Sequence, residues 1–142
     1  MNAEKQNSKK WIDVGCAIIE RKKCLLLAQR KPGDSYGGFW EFPGGKQESG
    51  ETIEECLCRE ALEELGVYIQ PRFRIGERIH HYPQKSVRLH FYLCKFLYGH
   101  PVKQDCFNFA WVPLNEIRKF LILPADIKII GDLLAKQAHY FR

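Results

Sequence analysis

Apolar residues occur in short runs that alternate with polar turns along most of the chain. The runs at residues 14–20 and 24–30 are nearly continuous, and Arg21, Lys22 and Lys23 separate them. This pattern predicts two neighbouring buried strands joined by a turn. Residues 73–81 and 87–97 alternate between apolar and polar side chains around a turn at 82–85, and residues 109–113 form a shorter run. These segments predict three further strands.

One segment has the spacing of an amphipathic helix with clear start and stop signals. Thr52 and Glu55 have the spacing of a capping box, and Gly66 is suited to end a helix. The apolar residues between them recur at helical spacing and predict one buried stripe. The stripe consists of Ile53, Cys56, Leu57, Ala61, Leu62 and Leu65.

Two more helices are predicted near the C-terminus. Residues 114–121 favour a short helix, and a longer one is expected from Pro124 onward because proline is tolerated in a first helical turn. The apolar face of the longer helix consists of Ile127, Ile129, Ile130, Leu133 and Leu134. Strands, a helix, more strands and then helices predict an α+β fold with one central sheet.

The composition limits the class of protein. A chain of 142 residues with 45% hydrophobic and 27% charged residues is typical of one globular domain. We assign residues 11–142 to that domain and residues 1–10 to a disordered basic tail. No apolar run suggests a signal peptide or a membrane span, and the six cysteines lack metal-binding spacing. Reduced thiols and a cytoplasmic protein without membrane contact are therefore expected.

The formal net charge of +5 favours anionic ligands such as phosphates. The sequence lacks the mixture of basic and aromatic residues that is typical of RNA-binding modules, so nucleic-acid binding is not expected. A monomer or a weak homodimer is expected. His80 and His81 are adjacent and would face opposite sides of a strand, which predicts surface or hydrogen-bonded histidines rather than a metal pair.

Three carboxylates are concentrated on the predicted helix at residues 53–65. Glu60, Glu63 and Glu64 lie three and four residues apart, so they share one helix face, where like charges repel. Carboxylate oxygens are the ligands that Mg²⁺ and Mn²⁺ prefer, and a bound cation would remove the repulsion. A solvated acidic helix face is the alternative interpretation.

The sequence around this cluster resembles a known family. Gly45, Glu51 and the run Arg59-Glu60-Ala61-Leu62-Glu63-Glu64-Leu65-Gly66-Val67 match the Nudix box, with Ala61 where a larger aliphatic residue is more frequent. The preceding run Trp40-Glu41-Phe42-Pro43-Gly44-Gly45-Lys46 resembles the MutT branch. The resemblance implies the Nudix fold, an α/β/α sandwich with a central mixed β-sheet, and Mg²⁺ (or Mn²⁺) as the cofactor.

The resemblance also implies roles for individual residues around the metal ion. The implied metal ligands are the Gly44 carbonyl, Glu60, Glu63 and Glu64. Arg59 would pair with Glu51, hold the loop to the helix and orient these ligands. Asp105, in a later loop, would be an outer metal ligand or general base. Many relatives have glutamate at that spacing, and an ordinary loop aspartate is the alternative.

Four further residues are implied to bind the substrate. Arg30 follows the second strand and would contact phosphate oxygens, for which its guanidinium is suited. Glu41 and Phe42 match the part of the family pattern that lies near the base. Asp126 follows Pro124-Ala125, where MutT itself has an asparagine. An ionised carboxylate only accepts hydrogen bonds, so we expect a base that carries an amine. Stabilisation of the helix dipole is the alternative role for Asp126.

The predicted activity is hydrolysis of a nucleoside triphosphate to the monophosphate and pyrophosphate, with oxidised (d)NTPs such as 8-oxo-dGTP as first candidates. The alternative enzyme acts on a cytidine-type (d)NTP or another nucleoside diphosphate derivative. The non-enzyme alternative is a protein that binds nucleotides as a sensor. Loss of an acid or of the arginine would favour the sensor, and this chain keeps Arg59, Glu60, Glu63 and Glu64.

Overall fold

The computed structural model describes residues 10–141, which build one seven-stranded sheet and the helices packed on it. The strands are β1 (Lys10–Arg21), β2 (Cys24–Gln29), β3 (Trp40–Glu41), β4 (Gly44–Lys46), β5 (Tyr68–His81), β6 (Lys85–Tyr98) and β7 (Asn108–Pro113). The helices are α1 (Ile53–Leu65), a 3₁₀ helix (Leu114–Lys119), α2 (Pro124–Ala135) and α3 (Gln137–Tyr140). Residues 1–9 of the predicted tail lie outside the described residues, and Lys10 begins β1.

The sheet is mixed, as predicted. Its main order is β3-β2-β1-β6-β5, with β4 paired to β1 and β7 paired to β2. β1 runs parallel to β6, whereas the other strand pairs are antiparallel. β1 therefore lies in the centre, and its partners along one side are β4 near its start and β2 near its end.

Apolar side chains cover both faces of the sheet and make the predicted α/β/α sandwich. On one face, Leu57, Ala61 and Leu65 of α1 belong to the same buried cluster as Ala17 and Ile19 of β1. The opposite face carries a second buried cluster that includes Ile18, Phe91, Ile129, Ile130 and Leu133. The alternation of side chains along β1 sends successive residues to the two cores.

The residues that predicted the ends of helix α1 make the expected contacts in the structure. The Thr52 side chain accepts a hydrogen bond from the Glu55 backbone N–H, and the Glu55 side chain accepts one from the Thr52 N–H. Gly66 ends the helix with a φ of 70°, a left-handed conformation that suits glycine. The stripe is narrower than predicted, because Leu62 is exposed. Ile127 of α2 is likewise exposed, because the core contacts the other side of that helix.

Several boundaries differ from the sequence prediction. β5 and β6 are longer than expected, because their pairing continues to Tyr68 and Tyr98. Residues 44–46 form the short strand β4, which pairs with β1, and the segment after β7 is a 3₁₀ helix. All six cysteines are free thiols, four of them buried. Across residues 10–141, no helix has the length and apolar composition that a membrane crossing requires.

Candidate active site

Arg59 fastens the loop before α1 to the helix itself. Its guanidinium donates to both carboxylate oxygens of Glu51, at 2.7 and 3.0 Å, and to the Lys46 carbonyl at 2.9 Å. Hydrogen bonds from Arg59 and from the Glu48 N–H lower the pKa of Glu51 to about 2. The same pairing raises the pKa of Arg59. These contacts bring together Arg59 and Glu51, the two residues that the family resemblance paired.

Two glycines allow the backbone to lie unusually close to its neighbours. A Cβ atom at Gly44 would come within 1.9 Å of the Gly15 carbonyl oxygen. At Gly45 it would come within 2.4 Å of the Glu60 side chain. Any larger residue at either position would displace β4 from β1 or push Glu60 away. Gly44 therefore lets β4 lie close to β1, and Gly45 lets it lie close to Glu60 of helix α1.

Glu64 and Glu60 lie partly buried beside this glycine pair. The Glu64 carboxylate accepts a hydrogen bond from the Gly44 N–H at 3.3 Å. Burial, together with the nearby charge of Glu41, raises the pKa of Glu64 to about 8. Burial also raises the pKa of Glu60, although Arg59 opposes that rise. Within residues 10–141 Glu64 has no ion pair, so the hydrogen bond from Gly44 alone stabilises its charged form there.

The third glutamate of the cluster, Glu63, is more exposed and shares Arg59 Nη1 with Glu60. The Glu63 side chain is 60% exposed and lies 3.1 Å from Arg59. The described residues contain no group of three acidic, histidine or cysteine side chains arranged to hold a metal ion. The available donors are nevertheless hard oxygens, and no cationic side chain in the described part of the chain pairs with Glu64. This donor set fits a divalent cation of the Mg²⁺ type.

The backbone of Asp105 lies next to the backbone of Glu64. Its N–H donates to the Glu64 carbonyl at 3.2 Å, and its charge contributes to the raised pKa of Glu60 and Glu64. Its side chain is 75% exposed and forms an ion pair with Lys31 at 2.9 Å. The structure thus brings the predicted loop aspartate to the cluster, with its carboxylate held by a lysine.

A cavity of about 650 Å³ opens beside Gly44 on the α2 face of the sheet. This volume is typical of small-molecule sites. Its walls are β3, the loop after β2 and the start of α2, and its floor is formed by β1, β5 and β6. The predicted substrate residues Arg30, Glu41, Phe42 and Asp126 all line it, as does Gly44. Tertiary structure thus collects them in one place.

Asp126 is the most deeply buried acid in this cavity, with 3% of its surface exposed. One of its oxygens, Oδ2, accepts a hydrogen bond from the Phe42 N–H at 3.0 Å. Burial raises the pKa of Asp126 to about 7, although that hydrogen bond opposes the rise. The sequence predicts an ionised Asp126, whereas the raised pKa leaves this carboxyl divided between both forms near neutral pH. Asp126 thus contacts the residue that follows β3 and does more than stabilise the helix start.

Arg30 and Glu41 form an ion pair at the cavity wall. Arg30 Nη1 donates to both oxygens of Glu41 at 3.2 Å, and Nε donates to the Ser35 carbonyl at 2.6 Å. Burial raises the pKa of Glu41, and Arg30 opposes that rise. Arg30 therefore joins β2, β3 and the loop between them, a role that the sequence analysis did not foresee.

Sequence reasoning missed part of the lining. Cys16, Tyr36, Arg78, His80 and Tyr82 also line the cavity. We expected His80 to be a surface or hydrogen-bonded histidine, and no local signal marked the other four. They come together because β1 pairs in parallel with β6, whose other partner is β5, and that arrangement depends on contacts between distant segments.

The sequence and the fold are similar to those of known proteins. The NUDIX domain profile matches residues 14–132. The chain belongs to the NUDIX domain family. The resemblance seen in the sequence is therefore confirmed, together with the predicted fold. Members of this family use divalent metal ions, which agrees with the oxygen donors at Glu60 and Glu64.

Nudix relatives match this chain over most of its length. The 8-oxo-dGTP diphosphatase of Haemophilus influenzae is 34% identical over 135 residues, which cover 94% of this chain and 98% of the relative. The CTP pyrophosphohydrolase of Escherichia coli is 31% identical over 129 residues and covers 91% and 96%. The solution structure of the E. coli ORF135 protein superposes with a TM-score of 0.82, at 32% identity over 92% of this chain and 94% of that one.

Proposed function

We propose that this Nudix protein is a Mg²⁺-dependent pyrophosphohydrolase of nucleoside triphosphates. The observation that carries the proposal is the position of the Glu64 carboxylate, which lies on Gly44 at one end of the cavity that Asp126 lines. A triphosphate can lie on the acidic end with its metal ion while the base enters the cavity. The metal site and the base site are then parts of one continuous surface.

The reaction divides a triphosphate between its α and β phosphates. Water supplies the oxygen of the new P–O bond, the anhydride bond breaks, and the products are the monophosphate, pyrophosphate and one proton. A divalent cation, when bound, neutralises phosphate oxygens and lowers the pKa of water. Glu60 and Glu64 would hold it, with Glu63 and the Gly44 carbonyl as further ligands. In the structure the Gly44 N–H donates to Glu64. Metal binding by the Gly44 carbonyl remains a prediction.

Arg59 and Glu51 support this site without touching the substrate. Their hydrogen bonds keep the loop before α1 against the helix, and Arg59 also lies 3.2 Å from Glu60. Asp105 lies next to Glu64 and would act through a water molecule as an outer ligand or base. In that role its carboxylate would leave the exposed ion pair with Lys31 and turn toward the reaction centre.

Arg30 would bind phosphate oxygens from its place in the cavity wall. Its Nε and Nη1 atoms are used by Ser35 and Glu41, whereas Nη2 has no hydrogen bond to residues 10–141. A guanidinium fixed on two sides with one free edge suits recognition of a phosphate. The pair with Glu41 then positions Arg30 rather than removing it from the site.

Oxidised guanine nucleotides such as 8-oxo-dGTP are the first candidate substrates, and cytidine nucleotides are the second. Asp126 Oδ2 is engaged by Phe42, and Oδ1 has no hydrogen-bond partner among residues 10–141. A free carboxylate oxygen suits an amine of either base. The 8-oxo-dGTP diphosphatase relative favours the first substrate. The relative named CTP pyrophosphohydrolase favours the second.

The test is pyrophosphate release from 8-oxo-dGTP, dGTP, CTP, dCTP, dATP and TTP, with Mg²⁺ and separately with Mn²⁺. Glu64→Gln should abolish turnover with every substrate. Glu54→Gln is the matched control, since Glu54 is an exposed glutamate on the same helix. Equal activity of wild type and Glu64→Gln would contradict the metal assignment. Tight nucleotide binding without turnover in the wild type would favour the sensor.

A further inference from the structure

The cavity contains two arginines, and they differ in their partners. Arg30 is neutralised by Glu41 at 3.2 Å. Arg78 also lines the cavity, yet it has no ion pair and no side-chain hydrogen bond to any other residue in the range 10–141. Apart from the Arg30–Glu41 pair, whose free guanidinium edge is assigned to the phosphates, the charged residues of the lining are Asp126 and Arg78. They offer a base one charged acceptor and one charged donor.

The strand register explains why Arg78 faces the cavity. Arg78 of β5 lies opposite Leu89 of β6, and Leu89 lies beside Val14 of β1. Residues directly opposite each other in a sheet project to the same face. Leu89 and Val14 are both cavity-lining residues, so Arg78 continues that row onto the outer strand. Strands are about 4.8 Å apart, which places Arg78 roughly 10 Å from β1 across the floor.

Aromatic residues line the cavity on two sides, at the outer strand and at the loop after β2. Tyr82 lines the cavity from the β5–β6 turn, and its ring lies 4.4 Å from that of His80. Tyr36 lines it from the loop after β2 and packs on Phe39 with ring centroids 5.3 Å apart. Aromatic faces of this kind suit a planar base. The cavity therefore has the composition of a base site rather than a second phosphate site.

We propose that Arg78 determines base specificity by donating hydrogen bonds to a carbonyl oxygen of the base. This inference rests on the proposed function, because it assumes that the base occupies the cavity beside Asp126. Guanine and cytosine each carry an amine and a carbonyl group, so they can satisfy Asp126 and Arg78 together. Adenine has the amine but no carbonyl, and thymine or uracil has carbonyls but no exocyclic amine.

The two residues therefore make separable predictions. Asp126 discriminates against thymine and uracil, and Arg78 discriminates against adenine. A hydrogen bond to a charged group that one base makes and another cannot make changes relative binding by about tenfold or more. Arg78→Leu should remove the preference over adenine while the preference over thymine remains. Arg78→Lys should recover part of it, since lysine keeps the charge but loses the planar fork.

The control is Arg74→Leu on the same strand. Arg74 lies opposite Tyr92, which belongs to the other face of the sheet, and it pairs with Glu77. Both leucine variants remove one positive charge from β5. Only the Arg78 variant should change base preference. A loss in both variants, equal for all bases, would mean that net charge or folding is responsible and would overturn the proposal.

The experiment measures kcat and KM for dGTP, 8-oxo-dGTP, dCTP, dATP and TTP in each variant, and calorimetric Kd values for dGMP, dCMP, dAMP and TMP. The proposal expects Arg78→Leu to raise KM and Kd about tenfold for guanine and cytosine nucleotides, with little change for dATP or dAMP. An unchanged profile, or a uniform loss for all bases, would overturn it. The monophosphates report on the base site without turnover, so failure of the pyrophosphohydrolase function is recognised separately by an inactive wild type.

Discussion

Replacing Asp126 with asparagine should change how stability depends on pH. The Asp126 side chain is buried, and its pKa is about 7 in the folded protein against an ordinary value of 3.8. Asparagine has nearly the same shape, and its oxygen can still accept the hydrogen bond from the Phe42 N–H. The variant therefore removes the titration while preserving the contact between α2 and β3.

The sign follows from the raised pKa. Below pH 3.8 the carboxyl is protonated in both states, and Asp126 adds no pH dependence. Between pH 3.8 and about 7 the unfolded chain has released the proton while the folded protein keeps it, so wild-type stability falls as pH rises. Above about pH 7 the folded protein has also released the proton, so the loss of stability stays constant. A gap of about three pH units corresponds to roughly 4 kcal/mol at 1.36 kcal/mol per unit.

Urea unfolding at a series of pH values between 4.5 and 8 measures this effect. We expect the stability of Asp126→Asn relative to wild type to increase across that range by about 3 kcal/mol. The difference between the two proteins isolates Asp126, because Glu64 titrates in both. Asp132→Asn, an exposed position on the same helix, should show no such trend. If the difference in unfolding free energy between Asp126→Asn and wild type stays constant within about 0.5 kcal/mol across this range, the argument from burial is refuted.

Three further predictions concern the other end of the site. Glu64→Gln should lower kcat more than about a hundredfold with unchanged circular dichroism, since outer-shell changes alone cost about 10–100-fold; turnover near the wild-type rate would contradict this. Glu51→Gln should raise the Mg²⁺ concentration needed for half-maximal activity about tenfold, because Arg59 loses its main partner, and an unchanged Mg²⁺ titration would show that the pair is dispensable. Arg30→Ala should raise KM for all triphosphates, whereas deletion of residues 2–9 should not, and the reverse result would place phosphate binding elsewhere.

The helix that carries the glutamate cluster was predictable because its geometry is local. A capping box at Thr52, a glycine at position 66 and carboxylates spaced by three and four residues all act within one helix. Helical periodicity alone places Glu60 and Glu64 on a common face, and the spacing from Gly45 identifies the family. The same reasoning could not predict that Leu62 is exposed, because burial depends on which neighbours pack against the helix.

The lining of the cavity was decided by tertiary structure. Asp126 and Phe42 are 84 residues apart in sequence, and their hydrogen bond forms only when α2 packs beside β3. Arg78 faces the cavity because β5 pairs with β6 in one register, and β6 in turn pairs in parallel with β1. A local pattern states which residues share a face, whereas burial, a raised pKa and a cavity arise from the surroundings that distant segments supply. Sequence thus determined the helix that carries the glutamates, and the packing of the sheet and α2 determined the cavity beside it.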